Sequence, residues 1–464
     1  LPRRPAVGAF TATATEQVRQ DIIRLLGLRD PLCLTTGFDR PNLYFAVARP
    51  RDKERYIEEY VLDHPDKSGI VYCATRKSVE SLCRQLQAAG IRATRYHAGL
   101  EAEERAQNQE DFVYDRRRVM VATNAFGMGI DKSNVSFVLH YNMPKNLENY
   151  YQEAGRAGRD GAKAECILLF SLGDIQTARY FIKNSRENDE LTPEEAEAAE
   201  ARDLERLERM VGYCKTTRCL RGYLLAYFGE THTGKCGNCG NCCGDFVETD
   251  ITTEAQKILS GLARIEKRWP GGLGVVALVQ MLRGSRDQNT LRRGLDELPT
   301  YGIMKDTAPA RMRLYLDALE EQGYILPAGG EYPVLRLGAK AGGVLFRGEK
   351  VTMTERRPAP GREEQASRRA SRRKTAARAA AAYAAGDGTL FDRLRALRAE
   401  LAQQHHVPAY LIFSNATLTE MAEKRPRTAG DFMRISGVGS AKASRYGPAF
   451  LREIAAYLAE EPEK

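Results

Sequence analysis

The segment Tyr150-Tyr-Gln-Glu-Ala-Gly-Arg-Ala-Gly-Arg-Asp-Gly-Ala162 constrains this chain more than any other stretch. It reads as a short helix on which Gln152, Arg156 and Arg159 fall at i, i+4 and i+7, one shared face. Gly155 and Gly158 keep that surface thin, so another body can approach it closely. Two guanidiniums on a rigid support suit a nucleoside triphosphate whose transferring phosphate is held elsewhere. A solvated, arginine-rich helix end is the plainer reading, and the ordered Gln, Glu and glycines around the arginines argue against it. The sequence upstream supplies a scaffold for such a surface. Arg118-Val-Met-Val-Ala-Thr-Asn-Ala-Phe-Gly-Met-Gly-Ile-Asp131 begins as an apolar run, expected to be a buried parallel strand, and empties into a glycine-containing loop. Gly69 to Thr75 repeats the pattern before a helical stretch from Lys77 to Ala89, and Ile91 to Leu100 ends in another small-residue loop. Ligands of open α/β sheets gather at the carboxyl ends of such strands, which is where Thr123, Asn124, Gly129 and Asp131 fall.

Taken together, these segments resemble a known family. The stretch from Tyr150 is similar to motif VI of superfamily-two helicases, in the form found in RecQ helicases. The strands ending at Thr75 and Asp131 resemble motifs IV and V, and Tyr96-His-Ala-Gly-Leu100 a segment of the same family, all in family order. The resemblance implies a RecA-like motor lobe. Arg159, and secondarily Arg156, would be catalytic by steadying charge on the transferring phosphate, a role worth roughly 10³–10⁵ in rate. Gly129, Asp131 and Gln152 would contact ATP, which would arrive with Mg²⁺. Thr75, Arg76, His97, Thr123 and Asn124 would touch the tracking strand of DNA. No G-x-x-x-x-G-K-[ST] phosphate loop and no DEAH-type box occurs in the 464 residues. Ala9-Phe-Thr-Ala-Thr-Ala-Thr15 resembles motif III, so residues 1–40 are expected to be the tail of a first motor lobe, with the second lobe at 41–185. On that reading the chain is the C-terminal portion of a longer helicase and would not turn over ATP alone. A DNA-binding protein without a motor is the competing expectation.

Cys219 is followed by Cys236-Gly-Asn-Cys239-Gly-Asn-Cys242, two overlapping CxxC turns. Four thiolates suit a closed tetrahedral zinc site; a redox dithiol or an iron–sulfur cluster would use the same residues. The family resemblance implies structural zinc in a module at 186–248. Cys243 is an adjacent spare and Cys214 lies one turn from Cys219; Cys242 keeps the two-residue spacing. Ahead of this module, Thr192-Pro-Glu-Glu195 is a helix start signal for a Glu-rich connector.

Residues 249–350 read as a winged helix. Helices are expected at Ala255–Lys267, Gly272–Leu282, Asp287–Leu298 and Ala310–Gln322, then a hairpin of Tyr324–Pro327 and Tyr332–Leu337. Arg292 and Arg293 on the third helix would meet duplex phosphates. The family resemblance implies that Tyr332 near the wing tip stacks on a terminal base pair; an ordinary tyrosine facing along its strand is the equal alternative. Residues 351–387, crowded with arginine, alanine, serine and proline, are expected to be a basic, flexible tether. The final stretch, 388–464, resembles an HRDC helical bundle, with Lys442, Arg445 and Lys424 as candidate DNA contacts, or as parts of a protein-docking surface. A net charge of +9 favours a polyanionic partner, and no apolar run approaches the ~20 residues of a membrane span. The expectation is an intracellular, monomeric, multidomain α/β plus α protein. The family resemblance, and no spacing in the sequence, implies 3′→5′ unwinding in repair and recombination, on single-stranded, forked or junction DNA, beside repair or single-strand-binding proteins.

Overall fold

The computed structural model describes residues 6–11, 16–126, 132–184, 192–244, 246–328, 334–356 and 389–460. They fall into two compact units, one formed by residues 1–214, 218–243 and 360–464, the other by 215–217 and 244–359.

The first unit opens with α1 (Glu16–Leu25) and continues as β1 (Leu43–Ala48), α2 (Lys53–Asp63), β2 (Gly69–Tyr72), α3 (Arg76–Ala88), β3 (Ala93–Tyr96), α4 (Ala102–Val113), β4 (Val119–Ala122), β5 (Phe137–His140), α5 (Leu147–Ala154), β6 (Ala164–Leu169) and α6 (Leu172–Asn184). The six strands pair in parallel in the order β1-β6-β5-β2-β4-β3. The central strands β2, β4 and β5 are buried along their whole length, as strands covered on both faces must be. Alternation along β2 decides which layer each residue joins. Ile70 and Tyr72 pack with Leu147, Tyr150 and Ala154 of α5, whereas Val71 packs with Ile57 and Val61 of α2 and with Val79, Leu82 and Leu86 of α3. Gly69 starts β2 because the Phe137 ring of the neighbouring strand occupies the space a Cβ would need.

The Glu-rich connector becomes α7 (Pro193–Lys215), opened by the expected signal: Thr192 N–H donates to the Glu195 carboxylate at 2.9 Å, and the Glu195 amide donates back to Thr192 Oγ1. The helix α8 (Leu220–Tyr227) follows.

The second unit holds β7 (Phe246–Asp250), α9 (Thr252–Arg268), α10 (Val275–Arg283), α11 (Gln288–Arg292), α12 (Pro309–Glu321), β8 (Ile325–Ala328), β9 (Val334–Leu337), α13 (Ala341–Phe346) and β10 (Thr352–Arg356). Its core gathers Ile258, Leu262, Leu278, Met281, Met312 and Leu319 from α9, α10 and α12. Two sequence expectations change here. The third helix is one short turn rather than a run to Leu298, because Gly294 takes a left-handed conformation (φ 64°) and a 3₁₀ turn follows. The tether does not begin at 351: Thr352–Arg356 pairs antiparallel with β7, with Val351 fully buried. The antiparallel pair β8–β9 forms the hairpin, and its tip, with Tyr332, lies outside the described residues, as do 357–388 of the tether.

The first unit closes with a small helical bundle: α14 (Leu390–Gln404), α15 (Ala409–Ile412), α16 (Asn415–Lys424), α17 (Ala429–Met433) and α18 (Ser440–Glu460). Thr389 and Asp392 cap α14 reciprocally, and Leu394, Phe413, Leu418, Phe432 and Phe450 fill its core. Among the described residues, no helix is long and apolar enough to cross a membrane.

Candidate functional site

The arginine segment is not one helix. The helix α5 stops at Ala154, and Gly155 to Asp160 form successive turns, with Gly158 at φ 57°. Gln152 therefore stays on the helix, exposed, while Arg156 and Arg159 project from the turns, Arg156 partly buried and Arg159 exposed. Two residues that local sequence does not reveal hold this loop. Arg40 donates to the carbonyls of Ala157 (3.2 Å) and Gly158 (2.9 Å), and Asn42 Nδ2 donates to those of Gly158 (2.8 Å) and Ala162 (2.9 Å). From the other side, the Gly158 amide donates to the Val135 carbonyl at 2.8 Å. A Cβ at Gly158 would sit 2.8 Å from the Ala162 carbonyl oxygen, so the clamp needs glycine there. The arginines thus rise from a backbone fixed at several points, the preorganisation that phosphate recognition requires. The Arg156 Nε is buried without a hydrogen-bond partner.

The carboxyl ends of β5, β2, β4 and β3 lie side by side in the sheet, and the expected DNA contacts fall there. Thr75 caps α3, its Oγ1 accepting from the Ser78 amide at 3.1 Å, and Arg76 beside it is exposed. Asn124 is exposed after β4. His97 and Thr123 are not reachable in the same way. His97 is 5% exposed, with Nε2 on Glu80 (2.9 Å) and Nδ1 accepting from the Gly99 amide (3.2 Å). Thr123 is buried, its amide donating to the Tyr96 carbonyl. Both shape the loops that carry Arg76 and Asn124. A buried network unseen in the sequence braces the same rim: Lys53 Nζ donates to Asp174 (2.7 Å), Asn142 Nδ2 to the same carboxylate (3.0 Å), and the Ala74 amide to Asn142 Oδ1 (3.0 Å). Gly129 and Asp131 lie outside the described residues.

In the second unit, Arg292 and Arg293 are both exposed at the end of α11, which Asp287 caps through the amides of Asn289 and Thr290. In the helical bundle, Lys442 is half-buried with Nζ 5.9 Å from the Phe413 ring, and burial lowers its pKa. Arg445 meets His405 (3.2 Å), and Lys424 pairs with Glu420 (2.6 Å).

The cysteines converge as their spacing predicts. The sulfurs of Cys219, Cys236, Cys239 and Cys242 all lie within 4.8 Å of one another. Cys236 and Cys242 are 3.9 Å apart, against about 3.8 Å for thiolates in a tetrahedron around zinc. The amides of Gly222, Asn238 and Cys242 donate to the sulfurs of Cys219, Cys236 and Cys239, each at 3.3 Å. Burial disfavours the Cys239 thiolate, but hydrogen bonds from the amides of Cys242 and Leu220 and from the Cys242 and Cys236 thiols bring it down to about 7, while burial raises Cys236 and Cys242. The donor set therefore fits a structural zinc ion, which would tie α8 to the Cys236–Cys242 loop. Cys243 stands apart, its sulfur on the Gly237 carbonyl, and Cys214 is buried elsewhere.

This knot lies along the free side of β1. The Gly240 amide donates to the Phe45 carbonyl at 2.7 Å, Phe45 and Cys239 form a β-bridge, and Asn238 Nδ2 reaches the carbonyls of Pro41 and Leu43. Arg221 of α8, 4% exposed, completes the join by donating to Asp39 (2.6 Å) and to the carbonyls of Arg40 (2.7 Å) and Leu43 (2.5 Å), with its guanidinium over the Phe45 ring.

The architecture agrees with known families segment by segment. Residues 52–161 match the helicase conserved C-terminal domain, 172–243 the RecQ zinc-binding domain, 245–361 the RQC domain and 387–454 the HRDC domain. The chain is 40% identical over 457 residues to the ATP-dependent DNA helicase RecQ of Bacillus subtilis, covering 98% of this chain and 71% of that protein. It is 36% identical over 455 residues to the RecQ helicase of Pasteurella multocida (98% and 68% covered). It is also 37% identical over 309 residues to the ATP-dependent helicase SGS1 of Saccharomyces cerevisiae (64% and 20% covered). A clamped arginine loop on a parallel sheet, a four-cysteine knot, a winged helix and a terminal helical bundle, in one order and matched over nearly the whole chain, make this chain a member of the RecQ family of ATP-dependent DNA helicases.

Proposed function

We propose that this chain works as an ATP-dependent DNA helicase of RecQ type in DNA repair and recombination, moving 3′→5′ on single-stranded, forked or junction DNA. The observation that carries this is the arginine loop: Arg156 and Arg159 stand on a backbone clamped by Arg40 and Asn42, and the Arg156 Nε is left without a protein partner. In this reading Arg159, with Arg156 second, faces the transferring phosphate of an ATP–Mg²⁺ complex held by the phosphate loop of a first motor lobe. Gln152, Gly129 and Asp131 contribute to the nucleotide side. Arg76, Asn124 and Thr75 touch the backbone of the tracking strand, so closing of the lobes advances it. Arg292, Arg293 and Tyr332 engage the duplex, and Lys442 adds a weaker contact. Zinc holds the Cys219, Cys236, Cys239 and Cys242 module closed and takes no part in the chemistry. The protein acts as a monomer where the chromosome lies, with repair and single-strand-binding proteins nearby.

The test is DNA-stimulated ATP hydrolysis by the protein joined to a first motor lobe, with and without Arg159→Ala. The expected result is a kcat lower by roughly 10³–10⁵ with DNA affinity unchanged. Unchanged turnover in Arg159→Ala would refute the catalytic role of the arginine loop, and no DNA-stimulated turnover in either protein would mark a DNA-binding protein without a motor.

A further inference from the structure

A second concave site lies at the opposite end of the sheet. A cavity of about 640 Å³ opens where the amino ends of the strands, marked by Ser68, Arg92, Arg118 and Asn134, meet α14 of the helical bundle. Its volume is within the range of small-molecule sites. Its wall is built for negative charge. Arg398 of α14 is 3% exposed; its Nη atoms donate to the Phe413 carbonyl (2.8 Å) and Asn415 Oδ1 (2.9 Å), and its buried Nε has no partner. Arg118 donates to the carbonyls of Val61, His64 and Lys67 and to no carboxylate among the described residues. Arg92 is exposed, with no ion pair among the described residues.

The acidic residues of the wall offset these charges only in part. Glu110 is paired with Arg116 (2.7 Å), Asp115 with Lys132 (2.6 Å), and Asp66 reaches Arg395 only at 3.9 Å. Lys67, Arg92, Arg116, Arg118, Arg395 and Arg398 outnumber the carboxylates of Asp66, Glu110 and Asp115 on this wall, so the lining carries an excess of positive charge. Burial lowers the pKa of Arg118 and its neighbour Arg92 lowers it further, with Asp66 opposing; burial brings Arg398 down to about 10 against the opposing pull of Asp115 and Asp160. The Asn134 Oδ1, also buried without a partner, supplies an acceptor for a ligand hydroxyl or amine.

We infer that this cavity binds a phosphate-bearing anion of nucleotide size, gripped by Arg92, Arg118, Arg395 and Arg398 between the motor lobe and the helical bundle. Guanidiniums from two bodies on one phosphate group fasten those bodies together. The fastening sits close to the catalytic loop, because the Asn415 amide at the start of α16 donates to Asp160 (3.3 Å), the residue after Arg159. Occupancy of the cavity would thus hold the bundle against the arginine loop.

The experiment is calorimetric titration of the whole chain with inorganic pyrophosphate, repeated for Arg92→Gln/Arg395→Gln and for Arg159→Ala. The paired variant removes side chains that do not support the fold, and unchanged zinc content and thermal unfolding verify that. Saturable one-to-one binding is expected, weakened about tenfold or more in the paired variant and unchanged in Arg159→Ala. Absence of saturable binding, equal affinity in the paired variant, or loss in Arg159→Ala overturns the assignment. Displacement of pyrophosphate by a short oligodeoxynucleotide would identify DNA backbone as the source of the phosphate, and displacement by ADP alone a free nucleotide.

Discussion

Replacing Arg221 by methionine isolates the join between the metal knot and the motor sheet. The native guanidinium makes three short, charge-assisted hydrogen bonds from a position 4% exposed. Bonds of this kind contribute about 1.5–3 kcal/mol each. Asp39 is half-exposed and can be rehydrated, so its share is discounted. The Arg40 and Leu43 carbonyls each keep a second donor, the Leu43 amide and Asn238 Nδ2, so the lower end of the range applies to them. The sum is about 3 kcal/mol, or roughly 10²-fold in the equilibrium for opening the module. Methionine retains the packing against Phe45, which separates loss of polar contacts from loss of volume. Zinc release in a urea series, followed with a chelating dye, reads the opening directly. Arg221→Met should release zinc with an opening free energy lower by about 3 kcal/mol, and Arg221→Lys should fall between, because a compact ammonium does not span the acceptors of Asp39, Arg40 and Leu43 as the planar guanidinium does. A loss under about 1 kcal/mol for methionine would show that the join is held by β1–Gly240 pairing and not by Arg221.

Two further outcomes follow from the same geometry. Cys242→Ser should abolish stoichiometric zinc in metal analysis, whereas Cys243→Ser, whose sulfur rests on the Gly237 carbonyl, should leave it intact. In the second unit, Glu355 is held below its ordinary range first by its hydrogen bond from Arg311, with Thr249 adding to it. A depressed carboxyl stabilises the fold above the unfolded value near ~4.3 and loses that contribution as pH falls through the folded value. Amide exchange in β7 and β10 should therefore accelerate on acidification below about pH 4.3, and Glu355→Gln should flatten that response.

The features legible in the sequence are those carried by local patterns. Apolar runs ending in small-residue loops gave the strands β2 and β4, CxxC spacing gave the four sulfurs, and Thr192-Pro-Glu-Glu195 gave the start of α7. Expectations failed where a glycine chose between conformations that periodicity cannot separate. The helix α5 ends at Ala154, ahead of both arginines, Gly158 turns left-handed between them, and Gly294 cuts α11 short. Contacts between residues far apart in the chain left no local trace: Arg40 and Asn42 lie more than a hundred residues from the carbonyls they hold, and Arg221 farther still from β1. The burial of His97 also escaped notice, since a histidine after a strand looks the same whether it faces solvent or Glu80.

The strand β1 ends the parallel sheet on one side, and what lies against it is a loop whose shape depends on four sulfurs. A chain that loses its metal would therefore lose more than a cross-link: it would uncover main-chain carbonyls along β1 that could recruit a strand from another molecule. A zinc ion on the four sulfurs would thus also keep this edge from pairing with another chain, and metal-starved preparations should fail first by precipitation, before the motor lobe itself has melted.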